Sequence, residues 1–321
     1  MEFTRDSILI DPEKTVVSIA EKIKRVVMHT FKRKGGVIGI SGGIDSAVVL
    51  AISARALGAN NITGVMMPEK DSDESSLRLA GMVARQFGIS YEIENITPVL
   101  EGYRCYERRD EAVRRIFPDY EKNDKIKITL PGNLLESNNL NFFTLTCEKS
   151  DGSVFKKRIP PSEYLQIVAA SNLKQRTRMS LLYYHAEKRN YIVMGTGNKN
   201  EHDLGFFVKY GDGAADIQPV LHLFKTQIYQ LARYLDIPGE IIERTPTSDT
   251  YSADQSQEEF FFRLPFGILD RVWYGLEKNI PVPDIARVLD LEVGQIERII
   301  RDIIIKKKTT EFLRNLPVRV S

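Results

Sequence analysis

The chain has 321 residues, with 45 Lys and Arg against 43 Asp and Glu, so its near-neutral charge gives no reason to expect a nucleic-acid partner. Cys105 and Cys147 are the only cysteines and form no Cys-x-x-Cys pair, which argues against a zinc site, a redox dithiol and a disulfide framework. Because no apolar run approaches the length of a membrane span and the first residues do not resemble a signal peptide, we expect a cytoplasmic protein without a membrane partner.

Helices and strands alternate in the first third of the chain. Asp11 and Pro12 are a typical cap and first-turn proline, and the apolar residues after them predict a helix that runs toward Gly35. Strands are then predicted over residues 37–40, 62–67 and 91–96, with helices over 47–57 and 75–87 between them. This order is typical of right-handed βαβ units, so we expect an α/β fold with a doubly wound parallel sheet.

Residues 104–161 interrupt this order. Alternating residues at 126–130 and 142–147, with turn residues at 131–132 and 150–153, predict an inserted lobe that is rich in β-hairpins. A helix over 161–188 and a buried strand over 191–194 then restore the alternation. We therefore expect one domain over residues 1–321 that carries the lobe within it.

The loop after the first predicted strand is made of Ser41, Gly42, Gly43, Ile44, Asp45 and Ser46. Its glycines let backbone N–H groups converge on an anion at a helix N-terminus, and its two serines add hydroxyl donors. Asp45 would repel a phosphate, so we expect it to hold a Mg²⁺ ion that bridges phosphate oxygens. The alternative is a turn whose glycines allow tight packing and whose Asp and Ser cap the helix. The order Ser-Gly-Gly-x-Asp-Ser favours a nucleotide site and resembles the pyrophosphate loop of the ATP pyrophosphatases.

Further polar segments follow the predicted strand 191–194. Glu201 lies where open α/β sheets bind ligands and is a candidate second Mg²⁺ ligand, the alternative being an acidic residue at a helix start. In the glycine-rich loop 209–216, Lys209 could meet a carboxylate or phosphate, and Asp216 could accept from hydroxyl or amide groups. Taken alone, Lys225 is consistent with an exposed lysine on a helix, and Thr247 is consistent with a threonine in a loop.

Taken together, these motifs resemble the ammonia-dependent NAD synthetases over about residues 12–100 and 165–275. The matching motifs, besides the loop 41–46, are Asn172-Leu-Lys-Gln-Arg-Thr-Arg-Met, Gly195-Thr-Gly, Glu201, residues 207–217, Leu223-Phe-Lys and Pro246-Thr. The resemblance implies the Rossmann-like fold of the adenine nucleotide α-hydrolases.

The resemblance also implies roles for individual residues. It implies that ATP, the co-substrate, is bound by Ser41, Gly42, Gly43, Asp45, Ser46, Thr196, Lys225 and Thr247. It implies that Asp45 and Glu201 hold Mg²⁺ and that these two act with Lys225 in catalysis. Deamido-NAD is expected to contact Arg176, Lys209 and Asp216.

The implied enzyme is a ligase that forms a C–N bond. The nicotinate carboxylate of deamido-NAD attacks the α-phosphorus of ATP, pyrophosphate leaves, and ammonia displaces AMP from the acyl adenylate to give NAD. The residues outside the synthetase core are too few for a glutaminase, so ammonia is expected to arrive free or from a separate protein. Simple members are homodimers, and we expect a homodimer here, packed through the apolar surfaces of the helices that begin at Pro12 and Pro161.

Three features depart from the family pattern: the long lobe, the aromatic run at 260–262 before Arg263, and a C-terminal segment, 309–314, without the family's His-Lys pair. They motivate an alternative, a related adenylating amide synthetase that acts on a different carboxylate. An enzyme that adenylates a tRNA base is disfavoured by the missing Cys pair and the absence of a strongly basic lobe. A regulator without catalysis is disfavoured because Asp45 and Glu201 are both present.

Overall fold

The computed structural model describes residues 2–130, 133–136, 142–247, 251–253 and 255–320. Its strands, in chain order, are β1 (Gly36–Gly39), β2 (Ile62–Met66), β3 (Ser90–Ile93), β4 (Lys125–Thr129), β5 (Thr144–Glu148), β6 (Val154–Arg158) and β7 (Ile192–Met194). Its α-helices are α1 (Pro12–Arg25), α2 (Ile44–Leu57), α3 (Glu74–Gln86), α4 (Thr97–Gly102), α5 (Cys105–Ile116), α6 (Pro161–Arg189), α7 (Lys199–Leu204), α8 (Lys225–Tyr234), α9 (Gly239–Glu243), α10 (Phe266–Glu277), α11 (Val282–Leu289), α12 (Val293–Thr309) and α13 (Glu311–Arg314). Short π-helical turns occur at Val26–Thr30 and Glu258–Phe262.

The main sheet contains four parallel strands in the order β3-β2-β1-β7. Its central strand, β1, pairs Gly36 with Ile62 on one side and with Ile192 on the other. The predicted parallel sheet is confirmed. The third strand is shorter than predicted, since it ends at Ile93 instead of residue 96.

Helices cover both faces of this sheet, as the doubly wound prediction requires. On one face Ile38, Ile62 and Met194 belong to a core that also contains residues of α1, α2 and α8. On the other face Val37 and Val193 pack in a cluster with residues of α6. Successive strand residues point to opposite faces, so the buried strands are mostly apolar, with Thr63 of β2 as a buried polar exception.

Two predicted helices form, although α1 ends at Arg25 and a π-helical turn follows it instead of a continuous helix toward Gly35. The Asp11 side chain accepts a hydrogen bond from Lys14 N at 3.0 Å, and Pro12 occupies the first turn of α1. The helix α6 extends over 29 residues and ends at Asn190, whose φ of 57° lies in the left-handed region.

The lobe begins with a helix that the hairpin prediction missed. Charged residues dominate α5, but Ala112, Val113 and Ile116 recur at helical spacing and pack on the lobe sheet. That sheet is antiparallel, in the order β4-β5-β6, and the turn at 150–153 is present, with Ser153 N donating to Asp151 Oδ1 at 2.8 Å. The predicted turn residues 131–132 lie outside the described residues.

A third packing unit lies near the C-terminus. The helices α10, α11 and α12 enclose a core around Trp273, which joins the rest of the fold through an edge-to-face contact with Phe224, next to α8. No helix in the described part of the chain is both long and apolar enough to cross a membrane.

Candidate active site

The loop 41–46 lies between β1 and α2 at the carboxyl edge of the sheet, as predicted. Gly42 has a φ of +75°, and a Cβ there would lie 2.5 Å from the carbonyl oxygen of Ser76, so a side chain is excluded at this position. Ser46 Oγ donates to Gly43 O at 2.9 Å, and Gly43 N donates to Ser41 Oγ at 3.2 Å. The loop is thus held by its own hydroxyl groups, in the position where a helix N-terminus binds anions.

Asp45 lies in the first turn of α2 and contacts two residues from distant segments. Its Oδ2 accepts a hydrogen bond from Lys225 Nζ, and its Oδ1 accepts from Asn198 Nδ2 at 2.9 Å. Lys225 is only 1% exposed. The alternative interpretation of Lys225 as an exposed lysine on a helix is therefore excluded.

Asn198 also holds Glu201. Glu201 N donates to Asn198 Oδ1 at 3.1 Å, and Asn198 N donates to Glu201 Oε2 at 3.2 Å, which is a complete capping box at the start of α7. Glu201 is therefore a helix-start carboxylate and also a neighbour of Asp45 through the same asparagine. Gln257 Nε2 donates to the second oxygen, Glu201 Oε1, at 3.2 Å.

The charged groups of this cluster shift one another's pKa values. Burial and the nearby Asp45 carboxylate raise the pKa of Glu201, although Lys225 acts in the opposite direction. Burial alone would lower the pKa of Lys225, but Asp45 and Glu201 outweigh it and raise that pKa. The lysine therefore remains charged, and its ammonium group lies in the field of both carboxyl groups.

Asp45 and Glu201 fit a magnesium ion as hard oxygen donors. Within the described residues there is no group of three or more His, Cys, Asp or Glu side chains that could hold a metal by itself. Mg²⁺ characteristically takes one or two protein carboxylates and completes its shell with phosphate oxygens and water. Two carboxyl groups beside the loop 41–46, where phosphate is predicted to bind, meet that requirement.

The residues that place Lys225 were not predicted from the sequence. Lys225 N donates to Asn200 Oδ1 at 2.9 Å, and Asn200 Nδ2 donates to Asp270 Oδ1 at 2.5 Å. Thr226 N donates to the other oxygen of Asp270 at 2.8 Å. Burial raises the pKa of Asp270 to about 6. Asn198 and Asn200 belong to a segment that the sequence marked as polar, whereas no local signal points to Asp270, which lies in α10.

The two predicted threonines lie at the margins of the cluster. Thr196 is half-buried in the loop between β7 and Asn198. Thr247 is exposed and forms an isolated antiparallel bridge with Ser256.

The three residues expected to contact the acceptor do not form one group. Arg176 is exposed on α6, and its Nε donates to Lys209 O at 3.3 Å. Lys209 Nζ donates to two carbonyl oxygens near the C-terminus, those of Phe312 at 2.9 Å and Asn315 at 2.8 Å. Asp216 accepts from Val193 N at 2.8 Å and from the Tyr183 hydroxyl at 3.1 Å, so it is engaged at the edge of the sheet.

A buried charge cluster beyond β2 also escaped the sequence analysis. Lys174 Nζ contacts Glu69 Oε1 at 2.8 Å and Asp71 Oδ2 at 3.1 Å, and Arg109 Nη1 contacts the same Asp71 oxygen at 2.6 Å. The Tyr106 hydroxyl donates to Glu69 Oε2 at 2.7 Å. These contacts fasten α5 of the lobe to α6 and to the loop after β2.

Comparison with known proteins gives a consistent result. A family model described as NAD synthase matches residues 15–117 and 113–317. The NH(3)-dependent NAD(+) synthetase of Rhizobium meliloti (strain 1021) is 44% identical over 311 residues, which are 97% of this chain and 92% of that protein. The NH(3)-dependent NAD(+) synthetase of Thermotoga maritima is 35% identical over 272 residues, which are 85% of this chain and 89% of that protein.

A solved structure with a similar fold is the NH3-dependent NAD synthetase from Campylobacter jejuni in complex with the nitrate ion. It has a TM-score of 0.63 at 22% identity, and the match covers 98% of this chain and 100% of that chain. This likeness confirms the adenine nucleotide α-hydrolase-like fold that the motifs predicted.

Proposed function

This chain belongs to the NAD synthase family, and on that premise we propose that Asp45, Glu201 and Lys225 form the centre at which its acceptor is adenylated. The enzyme is a ligase that forms a C–N bond: it amidates deamido-NAD with ammonia and uses ATP as co-substrate. The observation that supports the residue assignment is the series of contacts from Lys225 through Asp45 and Asn198 to Glu201. An amide synthetase for another carboxylate, the alternative, is not favoured by relatives that are 44% identical.

ATP binds with its phosphates against the loop 41–46. The N–H groups at the start of α2 and the hydroxyl groups of Ser41 and Ser46 donate to phosphate oxygens, and Thr196 and Thr247 flank the nucleotide. The ammonium group of Lys225 offsets the negative charge that develops as pyrophosphate leaves. Because Lys225 is buried and its backbone is fixed by Asn200, this charge needs little reorganisation during the reaction.

Asp45 and Glu201 are the residues that would hold Mg²⁺. When bound, the ion supplies positive charge that neutralises the phosphates of ATP. Asn198 keeps the two carboxylates at a common position, since it donates to Asp45 and forms the capping box with Glu201.

Deamido-NAD binds beside Arg176, Lys209 and Asp216. An oxygen of its nicotinate carboxylate forms a bond to the α-phosphorus of ATP while the bond to pyrophosphate breaks. Ammonia then attacks the carbonyl carbon, loses a proton, and AMP leaves with the former carboxylate oxygen. The protein contributes mainly position and charge to both steps.

The assembly is also a proposal. The chain is a single synthetase domain with the lobe 104–161 inserted, and it pairs as a homodimer in which α6 contributes, since Leu165 and Tyr184 of α6 are exposed. The helix α1 does not supply the apolar surface expected of it, because Val16, Ile19 and Ile23 are buried in the main core. Ammonia arrives free or from a separate glutaminase. Sedimentation at micromolar concentration tests the dimer, and a fully active monomer would exclude a shared site.

An isotope experiment tests the adenylation step. Deamido-NAD that carries ¹⁸O in its nicotinate carboxylate is incubated with ATP, Mg²⁺, ammonium and the enzyme. One ¹⁸O atom should appear in the phosphate of AMP for each NAD formed, because the acyl adenylate transfers that oxygen. Unlabelled AMP would contradict the mechanism.

A further inference from the structure

We propose that the residues 251–253 and 255–262, here called the bridging segment, are anchored on the lobe and fix both ends of α7, so that Gln257 and the lobe position Glu201. The inference rests on the proposed role of Glu201 as a metal ligand, and it assigns the lobe a part in the reaction.

The bridging segment is attached to β4, the edge strand of the lobe sheet. Ala253 N donates to Ile126 O at 3.1 Å, and Ile126 N donates to Ser252 Oγ at 2.9 Å. Gln255 Nε2 donates to Ile128 O at 2.6 Å. Since β4 pairs with β5 on its other side, these bonds cover the free edge of β4.

The same segment reaches Glu201 a few residues later. Gln257 N donates to Pro246 O at 2.8 Å, and Ser256 forms the bridge to Thr247, so the segment also supports the threonine assigned to ATP. The Gln257 amide then donates to Glu201 Oε1 at 3.2 Å. Glu201 is thus held at one oxygen by Asn198 from the sheet side and at the other by Gln257 from the lobe side.

The side-chain amide of Gln257 has one donor contact and one buried acceptor atom. Its hydrogen-bonded contact is with Glu201, and its Oε1 is buried without a hydrogen-bond partner among the described residues. A buried acceptor without a partner is destabilising. We therefore expect Gln257 to have a function that offsets this cost, which is to position the carboxylate of Glu201.

The aromatic run of the bridging segment holds the other end of α7. Phe206 follows Gly205, which ends α7, and its ring centroid lies 5.8, 5.0 and 5.6 Å from those of Phe260, Phe261 and Phe262. Phe260 in turn packs edge-to-face on Tyr251, which is buried in the core of the lobe. The run that departs from the family pattern therefore joins the lobe core to the helix that carries Glu201.

The test compares the metal affinity of four proteins: wild type, Gln257→Leu, Ser252→Ala and Ser153→Ala. Gln257→Leu removes the donor to Glu201, and Ser252→Ala removes a bond to β4 far from any ligand. Ser153→Ala is the matched control, because Ser153 donates to Asp151 in a lobe turn away from the bridging segment. Mn²⁺ binding is titrated by electron paramagnetic resonance in the presence of a non-hydrolysable ATP analogue, with turnover and thermal unfolding measured alongside.

We expect Gln257→Leu to weaken Mn²⁺ binding about tenfold, the scale of one hydrogen bond to a charged group. Ser252→Ala should weaken it about two- to threefold, and Ser153→Ala should leave it unchanged. The KM for deamido-NAD should stay at the wild-type value in all three variants. Unchanged Mn²⁺ binding in Gln257→Leu, or equal losses in Ser252→Ala and Ser153→Ala, would overturn the proposal.

A fifth protein, Glu201→Gln, separates this proposal from the proposed function. If Glu201→Gln does not weaken Mn²⁺ binding, the assigned metal role of Glu201 is wrong and the inference fails with it. If Glu201→Gln weakens binding but Gln257→Leu does not, only the bridging-segment proposal fails. Should Gln257→Leu unfold, Gln257→Met replaces it, because methionine also removes the donor at nearly constant size and adds no oxygen ligand for the metal.

Discussion

The ammonium group of Lys225 and the carboxylate of Asp45 form an ion pair between residues that are 180 positions apart in the chain. Each partner begins a helix at the carboxyl edge of the sheet, Asp45 in α2 and Lys225 in α8. Because Lys225 is buried and interacts with both Asp45 and Glu201, removal of either member of the pair disturbs the charge balance of the whole cluster. The pair therefore links the loop 41–46 to the C-terminal half of the protein.

Asp45→Asn should lower turnover by about 10²-fold or more, the scale expected when one preorganised electrostatic contact is lost. The fold should remain intact by circular dichroism, and the residual products should be AMP and pyrophosphate. ADP and phosphate as primary products would rule out the adenylation mechanism.

Two substitutions of Asn198 separate helix capping from the support of Asp45. Asn198→Ala should destabilise the protein by about 1 kcal/mol through loss of the cap, whereas Asn198→Ser keeps a capping oxygen and should cost less. Both remove the donor to Asp45 Oδ1, so both should lower turnover by a similar factor. Urea unfolding and steady-state kinetics provide the two measurements. Full turnover in the serine variant would show that the amide does not support Asp45.

Lys209→Ala should raise the KM for deamido-NAD about tenfold and leave the KM for ATP nearly unchanged. The substitution removes one charge-assisted contact to deamido-NAD and none to ATP. Asp216→Ala should also raise the KM for deamido-NAD more than the KM for ATP. It should also lower stability, because Val193 N and the Tyr183 hydroxyl lose their acceptor. Equal changes in the two KM values would argue against the acceptor assignment of Lys209.

The ionised carboxylate of Asp203 should stabilise the folded protein, and this contribution should be lost in acid. Burial acts to raise the pKa of Asp203, but the hydrogen bond to His202 and the charge of Lys199 outweigh it and lower the pKa to about 2. A carboxylate whose pKa is lower in the folded state stabilises the protein above its unfolded pKa of about 3.9. That stability is lost as the pH falls from about 4 toward 2.

The variant Asp203→Asn measures this contribution. Between pH 5 and pH 2.5 the wild type should lose up to about 2 kcal/mol more unfolding free energy than the variant, as followed by urea titration. Parallel losses in both proteins would show that Asp203 is not responsible.

The local parts of the site could be predicted from the sequence. The loop 41–46 was identified because glycines between a buried strand and a helix have few other uses in this order. Glu201 was identified because it follows the next strand end, where ligands bind to open α/β sheets. The lobe helix α5 was missed, because its dense charges obscure the helical spacing of its apolar residues.

By itself, the sequence determined the α/β class, the parallel arrangement of the strands and the motif of the loop 41–46. These features depend on periodicity and on short motifs. Only the tertiary structure decided which side chains meet: Asn198 with Asp45, Gln257 with Glu201, and Lys209 with the carbonyl groups near the C-terminus. Such contacts join segments that are separated by many tens of residues. They depend on how the strand ends and the lobe pack together in three dimensions, which short local sequence patterns do not specify.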